Sequence, residues 1–223
     1  SCVEDVTKIL QSLDVSYNVI GREEMHRGIL LGKDLVVTVG GDGTTLSTSC
    51  FLDDSIPVLG VNSDPTRPED QIVTKVRDER RSRGALCALS ATDVESRLPS
   101  IIFGESTPKQ RSRIQCIVKS TYTETRLPPA LNDVLVAHPS PAAVSRFRLT
   151  LKHLENDYDA SFQAKSGSIM SNTGPNIFSY NCWSSGIWVS TATGSTAAMH
   201  AAGGHQMDLN STNLQYKDRE HLL

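Results

Sequence analysis

The sequence lacks long apolar runs and closely paired cysteines. No run approaches the roughly 20 apolar residues that a membrane-spanning helix needs, and the first residues, SCVEDVTKIL, are acidic where a signal peptide is basic and then apolar. The five cysteines, at positions 2, 50, 87, 116 and 182, include no C-x-x-C pair. Zinc-ribbon and thioredoxin-like motifs therefore have no support, and no residue is predicted to bind a metal ion. We expect no membrane partner and a reducing compartment.

Neither sign of charge dominates. The chain has 22 Lys and Arg against 25 Asp and Glu, a formal net charge of -3. A nucleic-acid surface carries a marked basic excess, so nucleic acid is not an expected partner. Hydrophobic residues make up 38% of the 223 positions and charged residues 21%, which is typical of a folded globular protein with room for two small domains.

The first half alternates helical and strand patterns. The predicted helices and strands are, in order, Val3–Leu13 (helix), Val15–Ile20 (strand), Leu35–Val39 (strand), Thr44–Phe51 (helix) and Ile56–Val61 (strand). Short apolar strands separated by helices are typical of a parallel sheet covered on both faces. We therefore predict a Rossmann-like α/β nucleotide-binding domain over residues 1–106, with a charged exposed loop at Thr66–Arg83.

The second half is predicted to be mostly β. Its strand-like runs are Arg113–Val118, Leu131–Ala137, Val144–Leu151 and Ile187–Ser190. Polar residues dominate 152–181, which is predicted to be a flexible loop. Residues 107–223 therefore form the predicted second domain.

Three glycines surround one aspartate in Gly40-Gly41-Asp42-Gly43-Thr44, between a predicted strand and a predicted helix. Glycines let a ligand approach the backbone, and free N–H groups at a helix start attract phosphate. An aspartate beside a phosphate suits a base for an attacking hydroxyl, or a ligand for a divalent cation. The alternative is a tight turn in which Asp42 caps the helix. No Lys follows the glycines, so this is not a Walker A loop.

The pair Asn132-Asp133 stands at the start of a predicted strand. An amide beside a carboxylate can bind a ribose diol or the edge of a base. An ordinary Asn-Asp turn is the alternative, and on its own it is the better explanation.

A run of small and hydroxylated residues follows the last predicted strand. It reads Thr193-Gly194-Ser195-Thr196-Ala197. Exposed N–H groups at such a turn suit a second nucleotide contact, while a Ser/Thr helix cap is an equal alternative.

The order GGDGT, then ND, then TGSTA resembles the NAD kinase family, part of a wider group that includes diacylglycerol, sphingosine and phosphofructo-kinases. Lipid kinases share the GGDGT-like loop but not the other two motifs, so a lipid kinase is the weaker alternative. Val58–Pro65, His138–Phe147 and Ser184–Gly186 look like the plant NADH kinase branch. The resemblance covers about Leu35–Gly204.

The resemblance implies an NAD kinase/diacylglycerol kinase-like fold and a phosphotransferase. Phosphate would pass from ATP, supplied as Mg-ATP with Mg²⁺, to the 2′-hydroxyl of NADH or NAD in NADP biosynthesis. Family members are usually oligomers, so a homodimer is expected for the full-length protein. The cytoplasm is the expected location, or the peroxisome if the full-length C-terminus carries a targeting signal.

The resemblance also assigns roles. Asp42 matches the catalytic aspartate, the general base on the 2′-hydroxyl. The matching nucleotide-binding residues are Gly40, Gly41, Gly43, Thr44, Asn62, Asn132, Asp133, Thr193, Gly194, Ser195, Thr196 and Ala197. Two positions depart from the family: Asp133 stands where most members have Glu, and Ala198 stands where most have an aromatic residue.

The ends of the chain also depart from the family. Members begin with a strand ahead of the first helix and continue well beyond TGSTA, whereas this chain stops at Leu223. We therefore expect a chain truncated at both ends, with an incomplete β domain. The alternative function is a catalytically inactive nucleotide-binding fragment.

Overall fold

A computed structural model of the chain describes residues 1–65, 84–140, 142–152 and 176–221. The charged loop predicted at 66–83 lies outside these ranges, as do residues 153–175 of the loop predicted at 152–181.

The first part of the chain is an α/β domain, as predicted. Its elements are α1 Cys2–Ser12, a 3-10 turn Arg22–Glu24, α2 Arg27–Leu30, β1 Val36–Gly40, α3 Asp42–Ser49, β2 Val58–Asn62, β3 Leu89–Ser90 and α4 Val94–Ile102. The three strands pair in the order β1-β2-β3, and both pairings are parallel. Parallel strands need crossover connections, and α3 supplies the one between β1 and β2.

Helices cover both faces of this sheet because side chains alternate along its strands. Val37 and Val39 face the apolar core under α1 and α4, while Thr38 faces α3 and shares a buried 2.9 Å hydrogen bond with Thr45. Gly60 of β2 also faces α3, where a Cβ would lie 2.9 Å from the Thr45 hydroxyl. The buried core residues are Val6, Leu10, Leu59, Val61, Leu89, Val94 and Leu98.

The second part of the chain is mostly β, which confirms the predicted fold class. Its elements are β4 Ile117–Lys119, β5 Glu124–Arg126, β6 Asp133–Val136, β7 Ser145–Lys152, β8 Asn176–Ser184, β9 Gly186–Ser190, a 3-10 turn Gly194–Thr196, α5 Ala198–Ala201 and β10 Gln215–Arg219. Among the described residues the pairings are antiparallel: β10-β9-β6, β7-β8 and β4-β5.

Part of the loop predicted at 152–181 is a strand. Residues 176–181 belong to β8, which pairs with β7 from Ser145↔Ser184 onward. Burial alternates along β8, where Phe178, Tyr180 and Cys182 are more buried than their neighbours. Period-two alternation is the strand signal, and the polar residues on the other face concealed it.

Two predictions for the first domain differ from the structure: one strand does not form, and one helix begins earlier. Residues 15–20 form no strand: Val15 and Tyr17 pack on the core while their backbone stays outside the sheet. Helix α3 begins at Asp42, two residues before the predicted start, with extended Gly41 as its N-cap. A carboxylate in the first turn is favourable beside the positive end of the helix.

One side chain joins the two parts of the chain. The Arg113 guanidinium donates hydrogen bonds to the carbonyls of Ser49 (3.2 Å), the last residue of α3, and of Leu52 (2.6 Å), three residues further on. A cation is favourable at a helix C-terminus. Nowhere in the described ranges does a helix have the length and apolarity to cross a membrane.

A cavity in the core of the first domain should lower the free energy of unfolding. Leu98 of α4 is fully buried, whereas Leu31 is 71% exposed. Leu98→Ala should lower the free energy of unfolding by about 2–5 kcal/mol, and Leu31→Ala should change it by less than about 0.5 kcal/mol. Urea unfolding followed by far-UV circular dichroism measures both. Equal effects would contradict this assignment of the core.

Candidate functional site

The GGDGT segment turns directly from β1 into α3. Gly40 ends the strand, and a Cβ there would collide with the Thr44 side chain. The N–H groups of Thr44 and Thr45 bond to the Gly41 carbonyl at 3.0 and 3.3 Å, which starts the helix. Gly43 is exposed, and a Cβ there would have no heavy atom within 4 Å. The loop therefore presents an open surface at a helix start, where an anion is favoured.

The Asp42 carboxylate is held by backbone amides from a distant segment. The N–H of Leu86 donates to Asp42 Oδ1 at 2.7 Å, and the N–H of Ala85 donates to Oδ2 at 3.1 Å. Asp42 is half-buried. Hydrogen bonds to both oxygens fix the rotation of the carboxylate as well as its position.

Asn62 lies beside this loop at the end of β2. It is opposite Gly40 in the β1-β2 register, and the N–H of Ser63 donates to the Gly40 carbonyl at 3.2 Å. The Asn62 side chain is 3% exposed and packs on Gly84, where a Cβ would lie 2.7 Å from Asn62 Nδ2. Gly84 has a φ of +69°, a conformation that glycine adopts readily. The segment that holds Asp42 therefore begins at a close contact with Asn62.

The second and third motifs meet at one end of the β6-β9 pair. Asp133 is opposite Ser190 in the register, and the N–H of Thr191 donates to the Asn132 carbonyl at 2.9 Å. A Cβ on Gly194 would collide with that same carbonyl. Only glycine therefore lets the TGSTA turn approach the Asn132 backbone this closely.

A buried threonine fastens the two motifs together. The Thr191 hydroxyl donates to the Leu131 carbonyl at 2.6 Å and accepts from the N–H of Gly194 at 3.2 Å. Thr191 has no exposed surface. It was not among the predicted site residues, although its place directly before the turn was visible in the sequence.

The five TGSTA residues divide into a buried and an exposed group. Ser195 is fully buried, where its hydroxyl donates to the Ala192 carbonyl at 2.7 Å and accepts from the N–H of Met207 at 3.0 Å. Thr193 is buried as well, whereas Thr196 and Ala197 are exposed. The first group builds the turn, and the second is available to a ligand.

Two polar side chains of the Asn132-Asp133 motif are wholly or partly shielded from solvent. Oδ1 of Asn132 has no hydrogen-bond partner among the residues that the structure describes. Burial raises the pKa of the Asp133 carboxyl above its ordinary value. A hydrogen bond from a hydroxyl or amine donor, which a nucleoside carries, would stabilise both the Asn132 oxygen and the Asp133 carboxyl.

The structure thus groups the predicted residues in two places. Gly40 to Thr44 lie with Asn62 in the first domain, and Asn132 and Asp133 lie with TGSTA in the second. Sequence reasoning missed the backbone amides of Ala85 and Leu86. Amides leave no side-chain signature, so no signal in the sequence could have revealed them.

The N-terminal part matches a known domain family. The profile of the ATP-NAD kinase N-terminal domain matches residues 4–64. The chain is 43% identical over 213 residues to a probable NADH kinase of Oryza sativa subsp. japonica, an alignment that covers 95% of this chain and 59% of that protein. It is 42% identical over 214 residues to an NADH kinase of Arabidopsis thaliana, covering 96% and 61%. The chain therefore spans about three fifths of the length of these relatives.

Solved structures share the fold. The chain superposes on an NAD kinase from Archaeoglobus fulgidus in complex with ATP with a TM-score of 0.65 and 18% identity, covering 99% of this chain and 69% of that one. For yeast NADH kinase complexed with NADH, the TM-score is 0.66 and the identity 18%, covering 99% and 62%. At this identity the likeness shows the fold.

The Thr191 hydroxyl provides a test of how the second site is held. Thr191→Val keeps the side-chain shape but leaves the Gly194 N–H and the Leu131 carbonyl without their partner. We expect a loss of about 1–3 kcal/mol in the free energy of unfolding. Exposed Thr212→Val is the matched control, with an expected change below about 0.5 kcal/mol. Urea unfolding measures both, and an unchanged Thr191→Val protein would contradict the structural role.

Proposed function

We propose that the chain is a member of the NAD kinase family and that it transfers the terminal phosphate of ATP to the 2′-hydroxyl of NADH or NAD. The products are ADP and NADPH or NADP, and Mg²⁺ enters with its substrate as Mg-ATP. One observation carries the proposal: a carboxylate fixed by two amides stands at the start of a helix, beside an open glycine. That arrangement supports a role for Asp42 as a proton acceptor beside a surface suited to phosphate.

Asp42 is the proposed general base. Its carboxylate takes the proton of the 2′-hydroxyl while the hydroxyl oxygen forms a bond to the γ-phosphorus of ATP, and the bond from that phosphorus to the ADP oxygen breaks. A positioned base contributes about 10²–10⁴-fold to such a step. The open backbone at Gly43 and the N-terminus of α3 would receive phosphate oxygens, with Gly40, Gly41 and Thr44 shaping the loop.

The proposed dinucleotide site is the junction of β6, β9 and the TGSTA turn. The buried Oδ1 of Asn132 has no donor among the described residues, and the half-buried carboxyl of Asp133 lies beside it. Ribose hydroxyls or an adenine amine would supply hydrogen-bond donors to both. Thr196 and Ala197 would contact the ligand from the exposed side of the turn, while Thr193, Gly194 and Ser195 would hold the turn in place. Asn62, beside Gly40 at the end of β2, would contact the phosphates at the GGDGT loop instead.

The boundary between the two domains is proposed at residues 106 and 107. It falls between the end of α4 at Ile102 and the start of β4 at Ile117. A homodimer is proposed for the full-length protein, and exposed Leu135 and Val136 on β6 are consistent with such an interface. All five cysteines are free thiols, which supports a reducing compartment such as the cytoplasm.

The function is tested by forming NADP(H) from Mg-ATP and either NADH or NAD. Asp42→Asn should lower turnover by about 10²–10⁴-fold while the dinucleotide still raises the melting temperature. Asp54→Asn, an exposed aspartate in the same domain, should keep normal turnover.

Three results would oppose this proposal in different ways. Normal turnover by Asp42→Asn would remove this residue from the mechanism. Binding of dinucleotide without product in the unaltered chain would make it an inactive nucleotide-binding protein. If the unaltered chain neither binds dinucleotide nor forms product, NAD(H) is not its substrate.

The amides that hold Asp42 provide a second test. Gly84→Ala places a Cβ against Asn62 and strains a positive φ, which should displace the N–H groups of Ala85 and Leu86. Turnover should fall on the order of tenfold to a hundredfold, with little change in dinucleotide affinity. Gly104→Ala is the matched control, because Gly104 has a φ of +81° but nothing within 4 Å of its Cβ position. Equal turnover in the two variants would show that these amides do not position the base.

A further inference from the structure

A second group of chemically active side chains lies away from the kinase motifs, where β8 and β10 end. Cys182 of β8, Asp218 of β10 and His221 each offer one metal-binding atom, and the three atoms lie within 4.8 Å of one another. Cys182 is fully buried, Asp218 is half-buried and His221 is exposed. The group is therefore built into the sheet on one side and open to solvent on the other.

The distance between Cys182 and His221 matches a metal site. Sγ of Cys182 lies 3.6 Å from Nδ1 of His221. In a tetrahedral zinc site, with Zn–S near 2.3 Å and Zn–N near 2.05 Å, the sulfur and nitrogen lie about 3.6 Å apart. A thiol–imidazole hydrogen bond is the alternative explanation of this distance.

Asp218 supplies the third ligand in an oriented form. The Tyr180 hydroxyl donates to Asp218 Oδ2 at 2.7 Å, while Oδ1 is buried with no hydrogen-bond partner in the described ranges. None of the described Lys or Arg side chains forms an ion pair with Asp218. A buried carboxylate oxygen without a donor is costly, and a metal ion would compensate for it. The hydrogen bond from Tyr180 is the outer-shell contact that commonly orients a ligating carboxylate.

The site would join two separate sheets. β8 pairs with β7, whereas β10 pairs with β9. The contacts between β8 and β10 run as a series of side-chain pairs: Phe178 with Tyr216, with ring centroids 6.2 Å apart, then Tyr180 with Asp218. A metal ion bound by Cys182, Asp218 and His221 would add one more contact between β8 and β10, next to the Tyr180–Asp218 pair.

We propose that Cys182, Asp218 and His221 form a binding site for a zinc ion, or a divalent ion of similar softness, that fastens β8 to β10. Sulfur, nitrogen and oxygen donors together suit zinc. Binding forms a bond from the metal to the Cys182 sulfur, and the thiol proton passes to solvent. The exposed side of His221 leaves the fourth position to water. Cysteine spacing gave no indication of this site, because Asp218 and His221 lie 36 and 39 positions after Cys182 in the sequence.

Cobalt is the probe for the ligand set. Co²⁺ added to the metal-free 223-residue chain should give the near-ultraviolet absorption of a cobalt–thiolate bond, and zinc should displace it. His221→Ala should lose this absorption, while His205→Ala, another exposed histidine, should keep it. Tyr180→Phe should weaken zinc binding by about 10–100-fold in a competition titration.

Either of two results would overturn the proposal. Absence of the cobalt–thiolate absorption from the unaltered chain would show that there is no thiolate site. An absorption that persists unchanged in His221→Ala would show that His221 is not a ligand and that the proposed ligand set is wrong. Because His221 is exposed, its substitution should leave the chain folded, which circular dichroism verifies on the same sample.

Discussion

The two hydrogen bonds from the amides of Ala85 and Leu86 to the Asp42 carboxylate are the contact on which the proposed chemistry depends. They connect the start of α3 with the segment before β3, which also packs against Asn62 at the end of β2. A carboxylate without them could rotate, and a base that rotates away from its hydroxyl contributes little. The parallel sheet brings these segments together because β1 and β2 end at the same edge.

The second site is organised by close backbone approach. Gly194 lies against the Asn132 carbonyl, and the Thr191 hydroxyl closes the junction with two further hydrogen bonds. These contacts fix the backbone while the buried Oδ1 of Asn132 still lacks a donor from the described residues. The arrangement combines a rigid frame with polar groups that a nucleoside can satisfy.

The sequence predicted the parts of the fold whose signals are local. The apolar run Leu35–Val39 identified β1, and the glycines after it identified the turn. Residues 15–20 alternate as a strand does, but pairing depends on a distant partner, and their backbone stays outside the sheet. Residues 176–181 looked like a loop because a polar face concealed the alternation of β8.

The candidate site likewise has parts that local sequence motifs predict and parts that they do not. Motif order predicted Asp42, Asn132 and Asp133 as site residues. Contacts made by backbone amides, or by side chains far apart in sequence such as Cys182 and His221, have no local pattern. Only the folded chain brings them together.

The position of the transferred phosphate tests the central claim most directly. Mg-ATP with a labelled γ-phosphate is incubated with the chain and NADH or NAD, and the hydroxyl that carries the new phosphate ester is identified by phosphorus NMR. The account predicts label on the 2′-oxygen of the adenosine ribose. Label recovered only as inorganic phosphate or on another hydroxyl, with the 2′-hydroxyl unmodified, would contradict it.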